Sequence, residues 1–198
     1  MIRKDLQEKI DKSVKTLKLT AEMSKEFYEK PFILAYSGGK DSDVLLHLAE
    51  SCLKPDDFIV QHSLTTVDAP PTVRHIKDTF KRLEEKGIHT QIDYHEYIDE
   101  NGNKKRHTMW NLIHEKGIPP TRLARYCCSI LKEASTPNSI ACLGVRGGES
   151  RKRQGRDIFG VRGGSYRTAT FFFHLTTRRK YLKNRNLVTL CGIVNLSR

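Results

Sequence analysis

Apolar positions recur along the chain in two periods, and together they predict its elements. Over residues 3–28, Leu6, Ile10, Val14 and Leu17 recur at helical spacing among lysines and glutamates, with Phe27 extending the stripe. This predicts an N-terminal amphipathic helix. Short apolar runs at Phe32–Tyr36, Phe58–Val60, His89–Tyr94 and Ser139–Val145 have the length and composition of strands. Helical stripes separate them. Leu45, Leu48, Ala49 and Cys52 form one face, and Val73, Ile76, Phe80 and Leu83 form another after Pro70-Pro71-Thr72, closed by Gly87. A polar loop with an Asn101-Gly102 turn follows the third strand. Then come a short helix, Met109–Glu115, ended by Gly117, and a longer one, Arg122–Glu133, opened by Pro119-Pro120-Thr121 with Leu123, Cys127, Ile130 and Leu131 on its apolar face.

Strands alternating with helices predict an α/β fold, a Rossmann-like parallel sheet with helices on both faces and an added N-terminal helix. The expected divisions are a helical extension over 1–29, a core domain over 30–170 and a basic tail over 171–198. Ligands of such sheets sit at the C-terminal ends of the strands. The turns at 37–42, 62–72, after Tyr94 and at 146–156 should therefore meet at one pocket.

The first of these turns, Ser37-Gly38-Gly39-Lys40-Asp41-Ser42, carries recognisable chemistry. Its glycines allow positive φ and close backbone approach. The helix that follows aims free N–H groups and its positive dipole end at the turn. Lys40 adds a point charge, and the Ser37 and Ser42 hydroxyls add donors. Such a turn suits a phosphate. It is not the common nucleoside-triphosphate loop, because Asp41 follows Gly39-Lys40 where that loop needs Ser or Thr. Nor is it the dinucleotide fingerprint, since Gly38 and Gly39 are adjacent.

Composition narrows the class. The chain has 198 residues with 37% hydrophobic and 29% charged side chains, enough for one domain with a core. No run is long and apolar enough to span a membrane. Charged residues from Arg3 onward leave no room for a secretory leader, so a cytoplasmic protein is expected. Five cysteines, an odd number, point to thiols or metal ligation rather than disulfides. The net charge of +12 is uneven: Asp157 is the last acid, and residues 174–198 hold six basic side chains. This balance fits an anionic substrate and also a nucleic acid. The change of character suggests that the tail is truncated or frameshifted. His62, His75, His89, His95, His107 and His114 show no metal-ligand spacing and are unassigned.

The Ser37–Ser42 turn resembles, at every fixed position, the Ser-Gly-Gly-x-Asp-Ser loop of the PP-loop ATP pyrophosphatases and their sulfonucleotide-reductase relatives. Gly144-Val145-Arg146, followed by Glu149-Ser150, is similar to a second pattern of that group, Gly-x-Arg then Glu-Ser. Thr65, Pro70 and Thr72 match part of an Asp-Thr-Gly…Pro-Glu-Thr segment, with Leu64 replacing its Asp and Thr66 its Gly. Arg125-Tyr126-Cys127-Cys128 with Lys132 resembles an Arg-aromatic-Cys-Cys segment. The whole points to the phosphoadenosine phosphosulfate (PAPS) reductase family of the adenine nucleotide α-hydrolase-like superfamily.

The resemblance implies a nucleotide site built from Ser37, Gly38, Gly39, Lys40, Asp41, Ser42, Thr65, Arg146, Glu149 and Ser150. The ligand would be ATP, with Mg2+, or a sulfonucleotide, PAPS or adenosine phosphosulfate (APS). The implied activity is sulfonucleotide reduction with a thiol reductant, or sulfur transfer from a donor. An ATP pyrophosphatase thiolating tRNA or DNA is the alternative, and a non-catalytic nucleotide- or nucleic-acid-binding remnant is another. Cys127 and Cys128 would be two ligands of a [4Fe–4S] cluster, although no Cys-x-x-Cys supplies the other two. Cys191-Gly192-Ile193 echoes the reductase nucleophile motif without its Glu and His, and we read that echo as coincidence.

Overall fold

A computed structural model describes residues 4–132, 139–145, 159–162 and 166–172. Arg146, Glu149, Ser150 and Cys191, and the basic tail from residue 173, lie outside them.

Helix α1 (Lys4–Tyr28) is followed by β1 (Phe32–Ala35), α2 (Lys40–Cys52), β2 (Phe58–Ser63), α3 (Pro70–Glu84) and β3 (Thr90–Asp93). Then come β4 (Glu96–Ile98), β5 (Lys104–Arg106), α4 (Met109–Lys116), α5 (Tyr126–Leu131), β6 (Ile140–Val145), β7 (Phe159–Arg162) and β8 (Tyr166–Phe172). The main sheet has the order β3-β2-β1-β6-β8-β7, parallel from β3 through β8, with β7 antiparallel at the edge. The four expected strands occupy its first four places. The α/β class read from the sequence is the observed one.

Parallel strands need cover on both faces, and β1 shows it. Phe32, Ile33 and Leu34 are all buried although successive side chains point to opposite faces. One apolar core joins Leu6, Ile10 and Leu17 of α1 to β1, β2, β6 and the inner faces of α2 and α3. Cys142 lies within it, and Cys52 packs at its margin.

Four local expectations change. Phe27 is 51% exposed, and the buried stripe of α1 continues instead through Thr20, Ala21 and Ser24, which keep the 3.6-residue period from Leu17. The polar loop after β3 is a hairpin: β4 and β5 pair antiparallel as a separate two-stranded sheet. Its strands are three residues each and largely charged, so no alternation betrays them. The helix expected from Arg122 begins only at Tyr126. The Thr121 hydroxyl accepts from the amides of Leu123 and Ala124, closing a turn that competes with the helix and leaves Leu123 99% exposed. Finally, β7 and β8 arise from residues to which the pattern assigned no element.

Candidate functional site

Strand β1 delivers the Ser37–Ser42 turn to the C-terminal edge of the sheet, and α2 starts at Lys40. Sequential crossovers run from β1 to β2 and β3 on one side, while β6 lies on the other. The turn therefore sits at the point where the connections part, the usual crevice of such sheets.

Two glycines open the turn, and they have different tasks. Gly38 takes φ +67°, and a Cβ there would lie 2.8 Å from Ile76 Cγ1 and 3.2 Å from Thr72 Cγ2. The first turns of α3 thus press on the backbone of the loop, a contact open only to glycine. Gly39 has φ −94°, within reach of any residue, and a Cβ there would meet only Ser37 Oγ at 3.3 Å. Ser37 and Gly39 are exposed, so the backbone is open to a ligand.

Ser42 is buried and tightens the loop. Its hydroxyl donates to Gly39 O (2.7 Å) and accepts from Gly39 N (3.1 Å), with Ser37 Oγ 3.3 Å away. Its proton is thus engaged within the turn. Asp43 N closes the first intrahelical bond to Gly39 O. The amides of Lys40 and Ser42 precede that bond, in the stretch where a helix start leaves its donors without intrahelical partners. The Lys40 ammonium lies at the same helix start, the kind of place where anions are favoured.

Beneath the loop, three elements are tied at one hydroxyl. Tyr36, 2% exposed at the end of β1, donates its Oη–H to Asp43 Oδ1 at 2.6 Å. With that proton committed, His75 Nε2–H on α3 donates between Tyr36 Oη (3.0 Å) and Asp43 Oδ1 (3.2 Å). Thr79 Oγ1 lies 3.4 Å from the same phenol. Burial, reinforced by the Asp43 carboxylate, pushes the Tyr36 phenol far above its ordinary pKa. It stays a neutral donor. Tyr36 O also accepts from His62 Nδ1 (3.0 Å), and the remaining nitrogen, His62 Nε2, is buried without a partner among the described residues. None of these roles shows in sequence spacing. The one local hint is a tyrosine ending an otherwise apolar strand, since a buried phenol needs a polar partner.

Strand β6 brings the second motif alongside the first. It pairs with β1 through Ala35↔Leu143, and a Cβ on Gly144 would lie 3.2 Å from Asp41 O. Gly144 thus lets β6 pass against the first turn of α2, and the chain leaves toward Arg146 from that position.

The turn after β2 lies at the same edge of the sheet. Thr65 is buried, and its amide and hydroxyl both donate to Asp68 Oδ2 (3.2 and 2.7 Å). Thr66 takes φ +65°, and its Oγ1 accepts from Met109 N at 2.9 Å. The turn is therefore fastened to the start of α4. There Thr108 caps the helix by accepting from Asn111 N, and Gly117 ends it at φ +69°.

Cys127 and Cys128 lie side by side on α5, with sulfurs 4.0 Å apart. Burial and the neighbouring thiol raise the pKa of Cys127, while Arg125 Nη2 donates to Cys128 Sγ at 3.5 Å. No group of three or more metal-binding side chains forms among the described residues. Their donor set stops at two thiols, short of the four a [4Fe–4S] cluster requires.

No described helix is long and apolar enough to cross a membrane. The sequence model of the phosphoadenosine phosphosulfate reductase domain matches residues 31–187. No curated protein sequence matches the chain. Among solved structures, the chain resembles the NH3-dependent NAD synthetase of Campylobacter jejuni, with 17% identity, 99% of this chain and 80% of that one covered, and a TM-score of 0.57. It also resembles the FMN adenylyltransferase of Candida glabrata, solved with FMN and an ATP analogue. That match has 13% identity, spans 92% of this chain and 60% of that one, and gives a TM-score of 0.51. The phosphoadenylyl-sulfate reductase of Candida auris, a phosphate complex, matches at 14% identity over 91% of this chain and 90% of that one, with a TM-score of 0.50. At these identities the likeness is one of fold.

Proposed function

Because the chain belongs to the phosphoadenosine phosphosulfate reductase domain family, we propose that the Ser37–Ser42 turn binds the anionic end of an adenine nucleotide for sulfur chemistry. The observation that carries this reading is Gly38, whose positive φ and Cβ-free contact with α3 hold the turn open beside the start of α2. The amides of Lys40 and Ser42 would take phosphate oxygens, with Lys40 as counter-charge. Ser37 and Gly39 would line the approach, and Thr65 would bound it from the β2 side. Arg146, Glu149 and Ser150 would close it from the end of β6, where a guanidinium suits phosphate or sulfate.

The ligand is a sulfonucleotide, PAPS or APS, to be reduced at a thiol's expense, or ATP with Mg2+ activating an acceptor for sulfur transfer. An exposed basic run at Lys104–Arg106 favours a polyanionic acceptor and so supports the second reading, an ATP pyrophosphatase acting on tRNA or DNA. A cytoplasmic setting suits either.

Calorimetry with ATP, APS and PAPS side by side tests the assignment. Wild-type protein should bind at least one of them, and Lys40→Ala should weaken that binding about tenfold or more, as expected for a charge-assisted contact. Undiminished affinity in a folded Lys40→Ala protein would remove the site. Pyrophosphate release on adding ATP and acceptor would select sulfur transfer over reduction.

A further inference from the structure

A second concave surface lies beyond the nucleotide turn, where the β4–β5 hairpin meets α4. Tyr97, His107, Trp110, Asn111, His114 and Glu115 line a cleft of about 760 Å3. Its floor is aromatic: the His107 ring packs tilted against Tyr97, with ring centroids 4.2 Å apart, and against His95 at 4.9 Å. The His107 side chain is only 12% exposed. Its burial, with His95 beside it, lowers the imidazole pKa, so the ring faces the cleft uncharged at neutral pH. The wall is different in kind. Trp110 is 69% exposed, an unusual place for an indole that has only packing to do.

The charge around this cleft is mixed but has a basic side: Glu96, Asp99 and Glu100 lie on the hairpin before β5, Glu115 lines the cleft and pairs with Lys116, and the basic residues follow from Lys104 onward. From residue 104 to residue 125 the basic side chains are Lys104, Lys105, Arg106, Lys116, Arg122 and Arg125, all exposed, against a single acid, Glu115. Some are already engaged: Lys105 pairs with Asp99 and Arg106 lies over the Tyr94 ring, which fixes their heads at the rim. Tyr126 Oη donates to Ile118 O, which holds the Arg122–Arg125 turn beside the end of α4. Uncharged rings beside the exposed Lys104–Arg106 run match a chain of stackable bases joined by phosphates. A duplex presents no free base faces, so the fit is to a single strand.

We propose that this cleft binds single-stranded nucleic acid, one base stacking on Trp110 over the Tyr97–His107 floor while phosphates track the Lys104–Arg106 rim. The Thr66–Met109 hydrogen bond fastens α4 to the turn after β2, so the strand would lie beside the nucleotide site without being part of it. The inference deepens the nucleic-acid-acceptor reading given above, on which it rests, and does not depend on nucleotide binding at the first turn.

Trp110 is the only tryptophan in the chain, so its fluorescence reports the cleft directly. Full-length protein is titrated with a mixed-sequence 12-mer as single-stranded DNA, as single-stranded RNA and as duplex. Single strands should quench the emission saturably and bind more tightly than duplex. Raising salt from 0.05 to 0.2 M should weaken binding about twentyfold if three phosphates are held. By anisotropy of a labelled strand, Trp110→Ala should lose about tenfold in affinity and Trp110→Phe should keep most of it. Trp110→Ala leaves no core cavity, and it should bind ATP or sulfonucleotide as the wild type does. Lys40→Ala should keep the quench.

Absence of any saturable quench or binding by single strands overturns the proposal. So does an unchanged affinity in Trp110→Ala, or equal quenching by duplex or by poly-glutamate, each of which means a diffuse field rather than a base site. Loss of nucleotide binding in Trp110→Ala would merge the cleft with the first site and equally overturn it.

Discussion

The turns after β1 and β2 stand at the same edge of the sheet and bend the same way, through φ +67° at Gly38 and +65° at Thr66. Their chemistry is opposite. At Gly38 the left-handed backbone costs little, and the missing Cβ is filled by Ile76 and Thr72 of α3. At Thr66 a β-branched residue holds a conformation that disfavours it by about 1–2 kcal/mol. What the threonine adds is a hydroxyl that accepts from Met109 N and fastens α4. The first turn is shaped to let α3 pack onto its backbone, and the second to hold a neighbour by a hydrogen bond. A shared backbone conformation therefore does not imply a shared role. The side chain, or its absence, assigns the role.

The largest effect expected from breaking this contrast is at Gly38. Gly38→Val adds left-handed strain to an overpacked contact with α3 and should cost about 3 kcal/mol in urea unfolding. Gly39→Val is its control. It has ordinary φ and meets only the exposed Ser37 hydroxyl, which can give way, so stability should stay within about 1 kcal/mol while nucleotide binding is lost. Equal destabilisation by the two would mean that the tight glycine has been misplaced.

Next is the buttress beneath the first turn. Tyr36→Phe removes one buried hydroxyl and leaves Asp43 with His75 alone, for a loss of about 1–2 kcal/mol. Asp43→Asn in the same background should then add less than it does alone, because the two groups share one network. Full additivity in denaturant melts would dissolve the network into separate contacts.

Thr66→Gly relieves strain but removes the acceptor. The two terms nearly cancel, and net stability should change by less than about 1 kcal/mol. The local signature is sharper: the Met109 amide should lose protection in hydrogen exchange. Thr66→Ala keeps the strain without the acceptor and should be the less stable of the two.

The smallest effect is on pH, and it belongs to the unit Thr66 fastens. His107 has a lowered pKa in the folded protein, so on acidification through about 6.5 the unfolded chain takes up the proton first. The stabilising contribution is complete above that pH and shrinks below it. Exchange protection factors in β4, β5 and α4 should fall between pH 7.5 and 5.5 more than those of β1 and β2. A uniform response would show that His107 is not what sets the difference.

The first turn was legible because its six residues are contiguous, and contiguity is what sequence displays best. The parallel sheet followed from the alternation of strands and helices, whereas the pairing of β1 with β6 came only from the structure. The Tyr36–Asp43–His75 network was not legible. Its members come from three elements, and their meeting depends on how α2 and α3 pack. The hairpin escaped for another reason: Lys104-Lys105-Arg106 has neither an apolar face nor length, and only the Asn101-Gly102 turn marked it. Leu123 misled because helical spacing was counted without the competing hydrogen bonds of Thr121.

The central place of β1 in the sheet bears on how the chain is made. One edge of Phe32–Ala35 pairs with β2, the next strand in the chain, yet its other edge must wait until Ile33 can meet Ala141. Until then that edge is an apolar strand with unpaired backbone, the kind of surface on which chaperones act and aggregates start. The close approach of Gly144 to the first turn of α2 forms at the same late moment. A nascent chain can therefore shape its first turn before β6 exists, but packs the start of α2 against β6 only after the strand that supplies Gly144 has emerged.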